Sequence, residues 1–187
     1  MATPAPALPP RTRWTPAAWI VATAILVLPA IAMSVGAEGV HWTASDFVVA
    51  GVLLYGTCAL YDVARRMSSD RWYRAGAGVA VTTGLLLVWV NLAVGIIDSE
   101  NDAANLVFAG VLLVAAIGAL LVRLRARGMA TVLLVTASAQ ACAAVFAGFA
   151  GHDGKGLPAA GLFVPMWLAS AWLFHRAAIR TQRARSM

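Results

Sequence analysis

The sequence predicts an all-α, polytopic membrane protein of six transmembrane helices arranged as three helical hairpins. Three observations carry that reading. The chain has 187 residues, 61% of them hydrophobic and 12% charged, about half the charge of an ordinary soluble domain. Several apolar runs exceed about eighteen nearly uncharged residues, the length that crosses a hydrocarbon core. The arginines fall only in alternate segments between those runs.

Residues 1–13 hold Pro4, Pro6, Pro9 and Pro10 among small residues, then Arg11 and Arg13, and read as a flexible basic tail. Thr15-Pro16 is an N-cap followed by proline at the first helical position. It opens a first span over about 16–36, with a kink expected at Pro29 and a stop at Gly36. The apolar run is long for a cleaved leader, so it reads as a retained anchor. A loop over 37–43 carries Glu38, His41 and Trp42. The second span covers about 44–64 behind Thr43-x-x-Asp46, a capping box with Asp in place of the usual Glu. It closes on Asp62, Arg65 and Arg66, and Asp62 and Arg66 have the spacing of a helical ion pair. The next loop adds Arg71, Trp72, Tyr73 and Arg74.

The third span is expected over about 75–97, running into a turn with Asp98, Glu100 and Asp102. The fourth covers about 103–122 and ends at Arg123, Arg125 and Arg127. The fifth, about 129–150, carries Ala139, Ala143, Ala147 and Gly151 at every fourth position, a small-residue row that lets helices approach closely. The loop 151–156 contains His152, Asp153 and Lys155. Pro158 opens the sixth span, about 158–176, with a kink expected at Pro165. The transmembrane domain thus occupies 14–178, and 179–187 form a basic C-terminal tail.

Orientation follows from the arginines. The N-terminal tail, the 65–74 and 123–127 loops and the C-terminal tail hold every arginine, whereas the 37–43, 98–102 and 151–156 loops hold none. Positive residues stay inside, so both termini are expected in the cytoplasm. The alternation also checks the span count, because a missed helix would break it. Trp14, Trp19, Tyr61, Trp72, Tyr73 and Trp172 fall near the inner interface and Trp42 near the outer one.

Composition excludes several classes. The formal net charge of +6 is scattered between spans rather than gathered in a patch, which argues against nucleic acid. Cys58 and Cys142 lie in apolar runs without CxxC or Cys/His spacing, so neither a zinc site nor a redox motif is supported. His41, His152 and His175 lie in loops or at a span end, which disfavours a bis-histidine haem within the membrane. Lys155, the one lysine, is in a loop, so no retinal Schiff base forms inside the bundle. No cofactor, catalytic or metal residue is assigned. His41 and His152 would share a metal with Asp46 or Asp153 only if their loops met.

Asp46–Leu54 and Asn105–Leu113 are offset by 59 residues and agree at Val48, Ala50, Gly51, Val52, Leu53 and Leu54. Either the hairpins are parallel repeats, or common membrane residues coincide.

The polar residues worth following cluster towards the arginine-free side. Asn91, Gly95 and Asp98 share one face if the third helix continues through them. They lead to the acidic turn of Asp98, Glu100 and Asp102, with Asp46, Glu38 or Asp153 from neighbouring loops. Gln140, with Thr136 and Ser138, lies in the fifth span. Two readings stand side by side for this set. The carboxylates gather hard cations at an outer mouth above a polar path, or they favour the N-terminus of the fourth helix, capped by Ser99 or Asn101. Likewise, Asn91 and Gln140 line that path or form interhelical hydrogen bonds, worth about 0.6–2 kcal/mol each.

Trp89-x-Asn91-Leu-Ala-Val-Gly-Ile-Ile97, Ser99-Glu100 and Ala104-Asn105-Leu106 resemble a group of small multi-spanning bacterial inner-membrane proteins that typically read NLAVGIIG-SE-DNPAN. Gly128-Met129-Ala130 and Trp167-Leu-x-Ser-Ala-Trp-Leu-Phe174 resemble the same group, so the likeness covers most of 40–176. The chain departs at Asp98, where the group has glycine, and at Ala103-Ala104. The resemblance implies a bacterial inner-membrane location and carries no activity or functional residues.

Two functions are expected from these readings. The first is a non-catalytic packing or accessory protein, in contact with the bilayer and with a second copy or another membrane protein. The alternative is a small transporter or channel with an acidic periplasmic mouth. The lack of an ionisable residue at mid-span weighs against the second.

Overall fold

The computed structural model describes residues 16–93, 95–97, 103–150 and 156–185. Among them the backbone forms α1 (Pro16–Ser34), α2 (Ala44–Met67), α3 (Arg71–Ala93), a 3₁₀ turn (Ala103–Asn105), α4 (Leu106–Leu121), α5 (Ala126–Ala150), α6 (Gly156–Gly161) and α7 (Phe163–Arg185), with no strand. Six of these segments are long and apolar enough to cross a membrane, the last being α6 and α7 together. The architecture is all-α and polytopic, as the composition requires.

Local chemistry sets the helix ends. α1 runs unbroken through Pro29. It stops at Gly36, whose φ of +70° suits a residue without a Cβ, and the Ala37 amide donates back to the Ala32 carbonyl at 2.9 Å. The Thr43–Asp46 capping box forms: the Thr43 amide donates to Asp46 Oδ2 at 2.7 Å and the Asp46 amide to Thr43 Oγ1 at 3.4 Å. α2 continues to Met67, so Arg65 and Arg66 lie in its last turn, where cations favour the negative end of the helix dipole. α3 starts at Arg71, earlier than expected. Asp70 accounts for this, accepting from the Trp72 and Tyr73 amides at 2.7 and 3.0 Å.

The sixth span differs from the single kinked helix expected. The break lies at Leu162, ahead of Pro165 rather than at it. Proline has no amide to give to the carbonyl four residues back, and its ring clashes with that carbonyl. Pro165 therefore sits in the first turn of α7, where no such bond is needed, and Gly161 ends α6. α7 then runs on through 179–185, the stretch expected to be a tail.

α5 is the central helix. In the most apolar window of each span, 44% of α5 is buried but only 6% of α1. α5 packs mainly on α7, and also on α4 and α6; α7 packs on α3; α2 packs on α3, and α1 on α2. Ala143 and Ala147 are buried in this core and Ala139 packs against it, as the small-residue row predicts. Gly151 lies outside the described residues.

Chain order gives three hairpins, yet α3 and α4 meet only over a short stretch. Glycines explain the preference for other partners. A Cβ added to Gly76 of α3 would lie 2.9 Å from Phe174 Cδ2 of α7, and one on Gly118 of α4 would lie 2.7 Å from Val132 Cγ1 of α5. In lipid, such close approach is what holds helices together. The two candidate repeats also bury different faces. α2 turns Ala50, Gly51 and Leu54 inward, whereas α4 turns in Phe108 and Val111, whose counterparts Val49 and Val52 face outward.

Candidate functional site

The site foreseen at the arginine-free end is built differently from the expectation. α3 stops at Ala93, and Gly95 takes a φ of +77° with its amide bonded to the Val90 carbonyl at 3.1 Å. This is a left-handed C-terminal cap, which only glycine adopts without cost. Gly95 therefore lies outside the helix that carries Asn91, and the two do not share one helical face. The chain instead turns Ile96 and Ile97 into the core, where both are buried. Asp98, Glu100 and Asp102 lie outside the described residues, as do Ser99 and Asn101.

Asn105 organises this turn. Its Oδ1 accepts from the amides of Ile96 and Ile97 at 3.1 and 2.9 Å, and its Nδ2 donates to the Ile97 carbonyl at 3.1 Å. Buried backbone polar groups must be matched in a membrane, and one side-chain amide matches three of them. In the sequence, Asn105 belongs to the 104–106 motif and carries no role of its own. An Asn at a helix start within ten residues of a Gly-terminated helix is the signal that was available.

The remaining predicted residues occupy separate places. Asp46 is exposed and bonded within its own capping box. Asn91 is half-buried; its Nδ2 donates to the Leu87 carbonyl of its own helix at 2.8 Å. Gln140 is completely buried, and its Nε2 donates to the Ala160 carbonyl of α6 at 2.9 Å. This bond falls next to the break before Pro165 and ties α6 to α5 there. Thr136 is buried and back-bonded to Val132, while Ser138 faces outward and is bonded to Leu134. Ser138 is thus off the Gln140 face. No hydrogen bond joins Asn91, Gln140 and Asp46 to one another among the described residues. Of the loop set weighed for a metal, His152 and Asp153 lie outside the described residues, and no three His, Cys, Asp or Glu side chains converge among the rest.

Three buried polar atoms keep unused bonding capacity among the described residues: Asn91 Oδ1, Gln140 Oε1 and Trp167 Nε1. Two acceptors and one donor in an apolar bundle are expensive to leave unmatched. They are the points within α3, α5 and α7 where an added polar group would gain most.

A second polar group sits between α1 and α2, near the arginine-bearing end. Asp62 is buried, and Trp19 donates its indole N–H to Asp62 Oδ2 at 3.0 Å. Trp19 stacks on Tyr55 with ring centres 5.7 Å apart, and Tyr55 Oη lies 3.1 Å from Thr23 Oγ1. Spacing along the sequence predicts an Asp62–Arg66 pair within one helix and does not predict this interhelical bond. Tyr55, Cys58 and Asp62 recur at helical spacing, as do Trp19 and Thr23, which was the readable sign of two facing polar stripes.

Both ends carry aromatic belts. Trp42 packs on Phe47 and Trp89 at the arginine-free end; Trp72 meets Trp172 edge-on at 5.8 Å at the other, with Arg71 and Arg176 over those two rings. Amphipathic rings at both ends of an apolar slab mark a membrane-spanning bundle. Fold and placement of polar groups thus define a multi-pass membrane protein in contact with the bilayer. No family model, curated protein or solved structure matches the chain.

Proposed function

We propose that this chain is a non-catalytic packing or accessory protein of the bacterial inner membrane, with both termini in the cytoplasm. The observation that supports it best is how its interior polar groups are used. Ser170 donates to the Gly76 carbonyl at 2.7 Å, Gln140 to Ala160, Tyr73 to the Leu124 carbonyl at 2.8 Å, and Trp19 to Asp62. Each bond fastens one helix or link to another. Meanwhile Leu113, Ile117, Leu120 and Leu121 of α4 point out of the bundle, towards lipid or a neighbouring membrane protein. The arginine segregation supports the orientation, and the resemblance in 89–106 supports the bacterial setting. Cross-linking of the full chain in native membranes, through cysteines placed on the outer face of α4, tests the proposal. A second copy or one defined membrane protein should be captured at stoichiometric yield. Capture of lipid only, at every position along that face, would reject it.

A second reading, a small transporter or channel with an acidic periplasmic mouth, is favoured by one observation: the unmatched Asn91 Oδ1 and Gln140 Oε1. On that reading, Asn91→Leu and Asp98→Asn each abolish cation flux into liposomes while the protein stays folded. Flux no higher than in protein-free vesicles rejects it.

A further inference from the structure

The α4–α5 link carries a cavity that the packing proposal does not use. It is an open groove at the arginine-bearing end, with a volume of about 580 Å³, lined by Arg123, Arg125, Arg127, Thr131, Leu121 and Val122, and all of these but Val122 are exposed. Three arginines and Thr131 supply its polar lining, and Leu121 and Val122 its apolar lining.

The backbone here is held in a form the residues do not favour. Arg123 and Leu124 both have positive φ, +51° and +55°. Two successive non-glycine residues in the left-handed region cost about 1–2 kcal/mol each. The surroundings impose it. The Leu124 amide donates to the Ala119 carbonyl at 3.0 Å, and the Tyr73 hydroxyl of α3 grips the Leu124 carbonyl. Gly128 lets Val122 press in so closely that a Cβ there would meet Val122 Cβ at 2.5 Å. The result is a hydrogen-bonded turn with Arg123, Arg125 and Arg127 around one opening.

These arginines differ from several others at the same end. Arg65, Arg71 and Arg176 lie over aromatic rings, and Arg74 donates to the Ser68 carbonyl. The guanidinium groups of Arg123, Arg125 and Arg127 have no carboxylate, ring or hydrogen-bond partner among the described residues. Three unpaired guanidiniums at a membrane face attract phosphate, which they bind in a forked, two-bond geometry.

We propose that this cavity binds the phosphate headgroup of an anionic phospholipid. Commitment to a lipid over a free ion rests on the other wall. Leu121 and Val122 line the cavity, and Leu120 and Leu121 continue outward from the bundle, giving an acyl chain an apolar path beside the charged opening. Basic pockets between spans on the cytoplasmic side take headgroups in this way. The inference needs the membrane setting and is independent of the accessory role.

Native mass spectrometry of the purified full chain, offered equal amounts of phosphatidylglycerol and phosphatidylcholine, tests it. The wild type should retain phosphatidylglycerol by roughly tenfold over phosphatidylcholine. The arginines also help to set topology, so their removal can misinsert the chain. Thr131→Trp therefore serves as the main variant, because it fills the cavity at constant charge. It should reduce the preference towards one, and Arg123→Lys with Arg125→Lys should weaken it while the charge is kept. Arg71→Gln with Arg176→Gln, outside the cavity, should leave it unchanged. Equal retention of both lipids by the wild type, or an undiminished preference in Thr131→Trp, would overturn the proposal. So would complete displacement of phosphatidylglycerol by millimolar inorganic phosphate, which would make the cavity a site for the free ion. Failure of α4-face cross-linking leaves these measurements untouched, so the two proposals fail separately.

Discussion

Asn105 shows most clearly how one side chain fixes the outer turn. Three bonds to the backbone of Ile96 and Ile97 let two branched apolar residues enter the core with their amides matched. Asn105→Ala should leave those amides buried and unmatched, at a cost of about 1–3 kcal/mol each before relaxation. Asn105→Asp keeps the acceptor and loses only the donor, so it should cost less. Unfolding in mixed micelles should rank the stabilities as wild type, then Asn105→Asp, then Asn105→Ala; equal stability of all three would show that water satisfies the turn. Single residues with purely local roles were legible in the sequence, namely Gly36 as a helix stop and Thr43 with Asp46 as a capping box. Asn105 was not, because its partners exist only once Gly95 has ended α3 and turned the chain back.

Between elements, the contacts follow small residues and the break before Pro165. A side chain at Gly76 would collide with Phe174, and Ala143 is buried against the same core. Gly76→Leu and Ala143→Leu should each destabilise the bundle by about 1–3 kcal/mol or more, the usual cost of overpacking. Unchanged melting in detergent would mean that these faces meet lipid. Gln140 and Pro165 should be coupled. With proline present, Gln140→Ala leaves the Ala160 carbonyl without its side-chain donor, a loss of about 0.6–2 kcal/mol in a membrane bundle. With Pro165→Ala the helix can close through the break, and Gln140→Ala should then cost less. A double-mutant cycle that gives no coupling would separate the two features. The spans themselves were readable from hydropathy and from the arginines. The pairing of α3 with α7 was not, because sequence shows which helices have small faces but not which faces meet. A kink is expected at Pro165 but the break lies ahead of it, at Leu162, because proline acts on the turn that precedes it.

Over the whole molecule, the six spans and their ends form one pattern. Aromatic belts sit at both ends, and among the described residues the arginines lie at one of them. The acidic turn foreseen as a mouth lies outside the described residues, so the candidate site is legible only in its supports: Asn91, Asp46, Gln140 and the Asn105 clamp. Those supports bond in large part to backbone within the bundle.

Cysteine accessibility in intact cells tests the arrangement most directly. With Cys58 and Cys142 replaced by alanine, single cysteines are introduced at Glu38, in the α1–α2 loop, and at Ser69, in the α2–α3 loop; both positions are exposed. A membrane-impermeant thiol reagent should label Glu38→Cys in intact cells and Ser69→Cys only after the membrane is opened. Labelling of Ser69→Cys from outside, with Glu38→Cys protected, would contradict the orientation, and labelling of both from the same side would contradict the helix count.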